Sequence, residues 1–144
     1  GTTSVYGNQV EVAPGYGDGI VLIQQQRGEG PHGEWRTSGN RVHGNFVFYH
    51  GENGVSGAVG DYNNEALFSS GNSFNENTYL APGDDQTHWA WGEEVPHRAR
   101  YRTWPELRQA GQELDGQLGI GRFEPRAPNC ADMSAGPMLE RADE

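Results

Sequence analysis

The sequence predicts an all-β fold, a right-handed parallel β-helix of about three coils closed by a short C-terminal helix. The first observation is a repeat, in which a Gly-Asn pair begins at Gly7, Gly39 and Gly71, each copy 32 residues after the last. The second is composition, because 22 of the 144 residues are Gly and only 33% are hydrophobic, so that turns are abundant and the core is thin. The size is that of one ordinary domain.

Two copies of the repeat extend much further than the Gly-Asn pair. Residues 38–47 and 70–79 share the pattern Ser-Gly-Asn-x-φ-x-x-Asn-x-φ, where φ is apolar. The pattern predicts two Asn ladders, Asn40 on Asn72 and Asn45 on Asn77, since Asn at a stacked corner bonds its counterpart in the next coil. By the same spacing, we expect Val10, Val42 and Phe74 to stack inside the coils.

Short apolar strands lie between the copies, at residues 19–23 and 54–59. Strands of three to five residues do not bury a face alone. Parallel coils about 4.8 Å apart solve this, because each apolar residue then lies on its copy in the next coil.

The segment after residue 80 is typical of an end cap. Residues 87–91 alternate as a strand, and Thr103 to Glu106 form a predicted capping box with Pro105 in the first helical turn. Gly111 is a stop signal. We therefore predict coils over residues 1–80, a strand and helix cap over 81–120, in which Trp89, Trp91 and Trp104 pack, and a polar tail over 121–144 that is wrapped or disordered.

The Asn-x-φ-x-x-Asn-x-φ step resembles that of the pectate-lyase-like right-handed β-helix superfamily, over about residues 5 to 118. The resemblance implies action on extended polysaccharides along one flat sheet, outside the cell or in the periplasm. No motif matches one subfamily, so no catalytic role is carried over. The alternative fold is a β-sandwich carbohydrate-binding module, which gives no reason for Gly-Asn pairs at a constant interval.

Net charge and composition exclude several classes of partner and site. The formal net charge is -10, and such an acidic field repels phosphate backbones, which argues against nucleic acid. The longest apolar run, Ile20 to Ile23, is far too short to span a membrane. The single cysteine, Cys130, excludes an internal disulfide framework.

Four residues are candidates for catalysis. Asp18 and Glu52 both lie in turns before a strand, and a glycosidase needs two carboxyl groups roughly 5–9.5 Å apart. Arg41 and His43 flank Val42 and should point outward. A lyase needs a cation that neutralises the uronate carboxylate and a base that takes a proton, and Arg41 and His43 are candidates for these two roles. The alternative is that these residues are solvated turn and surface residues. No metal site is predicted, and calcium is the one cofactor left open.

Aromatic residues are candidates for substrate binding. If Val47 matches Tyr79 in the repeat, Val47 and Tyr49 point inward, and Phe46, Phe48 and His50 form an outward row on a flat sheet. Exposed aromatic rings on such a face stack on sugars or contact a protein. Trp35 and Tyr62 lie in loops that would rim the same groove. The alternative is that loops cover Phe46 and Phe48 and form a second core.

Three functions remain open from the sequence. The first is a secreted β-helix portion, the C-terminal part of a larger protein, that binds an extended neutral or weakly charged polysaccharide. The second is a polysaccharide lyase or glycoside hydrolase completed by a further segment or a second subunit. The third is an assembly or spike-type module, in which an uncapped N-terminal coil end binds another copy or an upstream segment.

Overall fold

The structure is a computed structural model that describes residues 2–62 and 67–122. Its parallel sheets are stacked as a β-solenoid of about three turns, with one short helix near the C-terminus, so the predicted fold class is confirmed. Among the described residues, no helix has the length and apolar character needed to cross a membrane.

Three sheets form the coils. The first sheet contains β1 (Ser4–Tyr6), β6 (Arg41–His43) and β9 (Ser73–Asn75). The second sheet contains β2 (Gln9–Val12), β7 (Phe46–Tyr49), β10 (Thr78–Ala81) and β13 (Gln117–Ile120). The third sheet contains β3 (Val21–Gln24), β8 (Ser56–Asp61), β11 (Trp89–Val95) and β12 (Arg98–Arg102). A small hairpin, β4 (Glu29–Gly30) with β5 (Gly33–Glu34), lies outside these sheets. Within the three sheets, each described strand pairs in parallel with its neighbours, except that β11 and β12 are antiparallel.

The coil interior is only partly as predicted. Val42 pairs with Phe74 and both are buried, as expected. Val10 pairs with Val47 instead, so its predicted place above Val42 is wrong, and Val5 occupies that place. The first turn is longer than the second because it includes the β4–β5 hairpin. The first Gly-Asn pair therefore stacks on the corner at Asn45, 37 residues later, and not on the one at Asn40.

Both predicted Asn ladders are present. The side chain of Asn40 donates to Oδ1 of Asn72 at 2.9 Å, and that of Asn45 donates to Oδ1 of Asn77 at the same distance. Asn8 extends the second ladder, since its Nδ2 lies 2.9 Å from Oδ1 of Asn45. All five Asn side chains except that of Asn8 are buried, so the ladders satisfy polar groups inside the coils.

The residue before each ladder Asn has a left-handed backbone. Its φ is +69° at Gly7, +63° at Gly44 and +59° at Glu76 along one ladder, and +65° at Gly39 and +79° at Gly71 along the other. Gly adopts this conformation without steric cost, which explains the repeated Gly-Asn pair. Glu76 is the exception, because an L side chain in that region is strained.

The short C-terminal helix is present where the sequence predicts it. Helix α1 (Trp104–Gln109) begins with the capping box of Thr103 and Glu106 and ends before Gly111, whose φ is +83°. Trp89, Trp91 and Trp104 belong to the buried core, as expected. The strands β11 and β13 continue the sheets of the coils beyond residue 81. Most of the predicted tail, from residue 123 onward, lies outside the described residues.

An aromatic cluster fills the end of the core nearest the cap. The ring of His88 stacks on that of Tyr49 with centroids 4.0 Å apart, and its Nδ1 lies 2.9 Å from the carbonyl oxygen of Gly54. Burial lowers the pKa of His88 below its ordinary value of 6.5, so the imidazole stays neutral at pH 7. This histidine is therefore part of the packing and faces no groove.

Candidate functional site

The outer face of the second sheet carries the predicted aromatic row. Strand register places Phe46 between Gln9 and Thr78, and Phe48 between Glu11 and Leu80. Val47 and Tyr49 are buried on the opposite face, as predicted. We call this outer face, centred on Phe46 and Phe48, the aromatic platform.

The two platform rings lie side by side. Their centroids are 6.2 Å apart and their planes differ by 19°, so both rings present nearly parallel faces. Phe46 is 50% exposed, Phe48 is half-buried, and neither belongs to the buried core. The alternative that loops cover both rings as a second core is not what the described residues show.

His50 differs from the other members of the row. Its side chain is only 5% exposed, and its Nε2 lies 3.1 Å from a carboxylate oxygen of Glu11. It points outward as predicted, but it packs beside Glu11 and offers little surface to a ligand. Its role at the platform is to hold the Glu11 carboxylate in place.

A separate groove of mixed polar and apolar lining lies at the first sheet, with a cavity of about 380 Å³. Arg41 and His43 both line it, together with Asn75 and Glu76. The His43 ring stacks under Tyr6 with centroids 5.3 Å apart. The Arg41 guanidinium makes no hydrogen bond or ion pair with the described part of the chain, although the Arg41 backbone N–H donates to the carbonyl oxygen of Thr3 at 2.8 Å. The groove therefore combines a free guanidinium with an imidazole held in orientation.

Asp18 and Glu52 are not brought together in one cavity. Oδ1 of Asp18 accepts the backbone N–H of Val55 at 3.0 Å, so this carboxylate fixes a turn. It also lines a cleft of about 530 Å³ beside the third sheet, which Glu52 does not line. Glu52 is an exposed side chain.

Trp35 and Tyr62 do not rim the platform groove. Trp35 packs on the β4–β5 hairpin, where a Cβ at Gly30 would come within 2.8 Å of the indole ring, and it lines a cavity of about 390 Å³ together with Arg27. Tyr62 lines the cleft that contains Asp18. The prediction of one shared groove is wrong because both residues follow strands of the third sheet, β3 and β8, whereas Phe46 and Phe48 lie on the second sheet.

The cleft beside the third sheet includes three residues that sequence reasoning missed, namely Glu94, Arg98 and Tyr101. They come from the β11–β12 hairpin, and Asp18 and Tyr62 come from two earlier turns. No repeat relates these segments, so the sequence contains no signal for their proximity. In the described ranges, no group of three or more His, Cys, Asp or Glu side chains is arranged to hold a metal ion.

Comparisons with protein-family models, curated proteins and solved structures found no match to this chain. The surfaces of the described residues are therefore the observations from which a function is inferred.

Proposed function

We propose that this protein binds an extended neutral or weakly charged polysaccharide through the aromatic platform. The observation that supports the proposal is the pair of nearly parallel rings of Phe46 and Phe48, 6.2 Å apart on the outer face of a four-stranded parallel sheet. Sugar rings are puckered, but C–H groups on one face of the ring form an apolar surface that stacks on aromatic rings.

The surroundings of the platform suit a glycan. Gln9 and Thr78 are the lateral neighbours of Phe46, and Glu11 is a neighbour of Phe48. Amide, hydroxyl and carboxylate groups at the edges of a stacking surface bond sugar hydroxyls and set the ligand's orientation.

Charge selects the kind of polysaccharide. The protein has a net charge of -10, and Glu11 places a carboxylate beside Phe48. An anionic polymer is repelled by this field, and the repulsion slows encounter and weakens binding. A neutral glycan outside the cell or in the periplasm is therefore the proposed ligand, and calcium becomes necessary only if the polymer is anionic.

Affinity electrophoresis in gels that contain a neutral polysaccharide tests this function. Phe46→Ala should reduce retention about fivefold, since an aromatic contact contributes on the order of 1 kcal/mol. Trp35→Ala is the matched control, because Trp35 is a 58% exposed aromatic residue that packs on the β4–β5 hairpin, outside the sheet that carries the platform. Equal retention of Phe46→Ala and wild type across a panel of neutral glycans would reject the proposal.

A polysaccharide lyase is the second candidate, and one observation favours it. Arg41 and His43 line a single groove, with the guanidinium free to neutralise a uronate and the imidazole placed to take a proton. Incubation with uronate polymers, with and without calcium, should then release unsaturated products that absorb in the ultraviolet. Arg41→Ala should abolish that absorbance, and a wild type that releases none excludes this candidate.

A further inference from the structure

A cleft opens where the β11–β12 hairpin lies over the third sheet. The turn of the hairpin is held against β8, since Nδ1 of His97 lies 2.9 Å from the carbonyl oxygen of Asp61. A Cβ at Gly60 would come within 3.1 Å of the His97 carbonyl oxygen, so the hairpin approaches the strand closely. The cavity between the hairpin and the coil measures about 530 Å³.

Two tyrosines line this cleft from different segments. Tyr62 follows β8 and is 55% exposed, and Tyr101 in β12 is 56% exposed. The His97 ring stacks on Tyr62 with centroids 6.2 Å apart and planes 11° apart, which fixes the tyrosine's orientation. The cleft thus offers two aromatic surfaces, one of them already oriented before a ligand arrives.

The charged groups of the cleft have an acidic balance. Asp18 and Glu94 provide two carboxylates and Arg98 one guanidinium. Asp18 is oriented by the backbone N–H of Val55, at 3.0 Å from its Oδ1. The side chains of Glu94 and Arg98 form no hydrogen bond or ion pair within residues 2–62 and 67–122, so their charged groups are available to a ligand.

We propose that this cleft binds a sugar unit that carries a protonated amine. Aromatic faces and carboxylates both attract a cation, and the net charge of -10 favours its approach. Sugar rings match the two tyrosine surfaces, and Arg98 donates to their hydroxyls. The cleft lies on a different face from the aromatic platform and selects a positive charge, so this binding goes beyond the neutral-glycan function proposed above.

Two oligomers of equal length test the proposal by isothermal titration calorimetry at neutral pH. One is a glucosamine oligomer, which bears amines, and the other is its N-acetylated form, which has the same backbone without charge. Wild type should bind the glucosamine oligomer more tightly. Glu94→Gln, which removes one charge with little change of shape, should weaken that binding about fivefold and leave the binding of the N-acetylated oligomer unchanged.

Matched variants separate the cleft from the rest of the protein. Glu52→Gln removes the same charge from an exposed residue outside the cleft and should have no effect. Tyr101→Ala should weaken glucosamine binding to a similar extent as Glu94→Gln. If Tyr101→Ala does not fold, as seen in its circular dichroism, the comparison of Glu94→Gln with Glu52→Gln decides the question.

Four results would overturn the proposal. The first is that wild type shows no preference for the glucosamine oligomer, and the second is that Glu94→Gln and Glu52→Gln weaken glucosamine binding equally. The third is that Phe46→Ala weakens glucosamine binding while Glu94→Gln does not. The fourth is equally tight binding of a lysine oligomer, which would mean that the cleft binds amines of peptides as well as of sugars. Failure of the platform alone is distinguishable, because the neutral polysaccharide would then not bind while Glu94→Gln still weakened glucosamine binding.

Discussion

The buried carboxylate of Glu113 ends the ladder at Asn77. Its Oε1 accepts the Asn77 side-chain amide at 2.6 Å, and its Oε2 lies 3.2 Å from the Asn77 backbone nitrogen. Tyr79 donates its hydroxyl to the same Oε1 at 2.7 Å. Each Asn of the ladder donates toward the C-terminal end, so a group that only accepts is what completes it.

The ladder should contribute strongly to stability. Asn45→Ala removes a 1% exposed side chain that accepts from Asn8 and donates to Asn77. Because buried partners are left without a hydrogen bond, we expect the free energy of unfolding to fall by about 2–4 kcal/mol, measured by denaturant titration. Asn75→Ala is the control, because the Asn75 side chain points outward and bonds Asp115 in an exposed position, so the loss should stay below about 1 kcal/mol. Equal losses in the two variants would contradict the role of the ladder.

Glu113 should make stability depend on pH. Burial raises the pKa of Glu113 above its ordinary value of 4.5, and this outweighs the hydrogen bonds from Asn77 and Tyr79, which lower it. The folded state therefore holds the proton more tightly than the unfolded chain does. The stabilisation by Glu113 is complete below the ordinary pKa and is lost as pH rises through the raised pKa.

Glu113→Gln isolates this effect, since glutamine does not titrate. The free energy of unfolding of wild type minus that of the variant should decrease as pH rises from 4 toward neutrality. The measurement is urea unfolding at several pH values with constant ionic strength. A difference that is flat or that increases with pH would show that the Glu113 carboxylate is not held as described.

The sequence predicted the second turn well and the first turn poorly. Asn40, Asn45, Asn72 and Asn77 were placed correctly because two consecutive coils have the same length, and the period is then visible directly. The match of Gly7 to Gly39 was a coincidence of spacing, since the hairpin at residues 29–34 lengthens the first turn. An inserted hairpin has no apolar pattern that reveals it.

Among the candidate surfaces too, some were predictable from the sequence and others were not. Phe46 and Phe48 were predictable because strand alternation, once the repeat matches Val47 to Tyr79, decides which residues of β7 face outward. The cleft with Glu94 and Tyr101 was not, because it depends on a hairpin that lies over a sheet formed from other coils. Glu113 was missed because it occupies the next position of the Asn ladder after Asn77 without being Asn, and because it lies outside the repeat.

The left-handed corners give a matched pair of substitutions. Gly44 and Glu76 occupy equivalent corners, with the Gly44 N–H donating to the Glu76 carbonyl oxygen at 3.1 Å. Glu76→Gly should raise the free energy of unfolding by about 0.5–1 kcal/mol, because it relieves a left-handed L residue. Gly44→Ala should lower it by about 1 kcal/mol through conformation alone, since a Cβ there meets nothing within 4 Å. The measurement is the midpoint temperature of thermal unfolding. A shift of this temperature in the same direction for both variants would contradict the explanation.

Extending the aromatic platform should strengthen glycan binding. Thr78 lies directly beside Phe46 on the next strand, about 4.8 Å away across the sheet. Thr78→Tyr would add a ring beside Phe46 on the neighbouring strand, so a polysaccharide chain that crosses the strands would gain one stacking contact. Retention in an affinity gel with neutral polysaccharide should increase about fivefold. Thr78→Val keeps the branched side chain without a ring and should leave retention unchanged.

A ring added elsewhere provides the second control for this experiment. Ser4 is an exposed residue of β1 on the first sheet, and Ser4→Tyr adds the same aromatic surface away from the platform. Because the ring introduced by Ser4→Tyr would lie on a different sheet from Phe46, the retention of this variant should equal that of wild type. Equal gains from Thr78→Tyr and Ser4→Tyr would mean that any exposed ring on this protein binds the gel, and the platform would lose its special role.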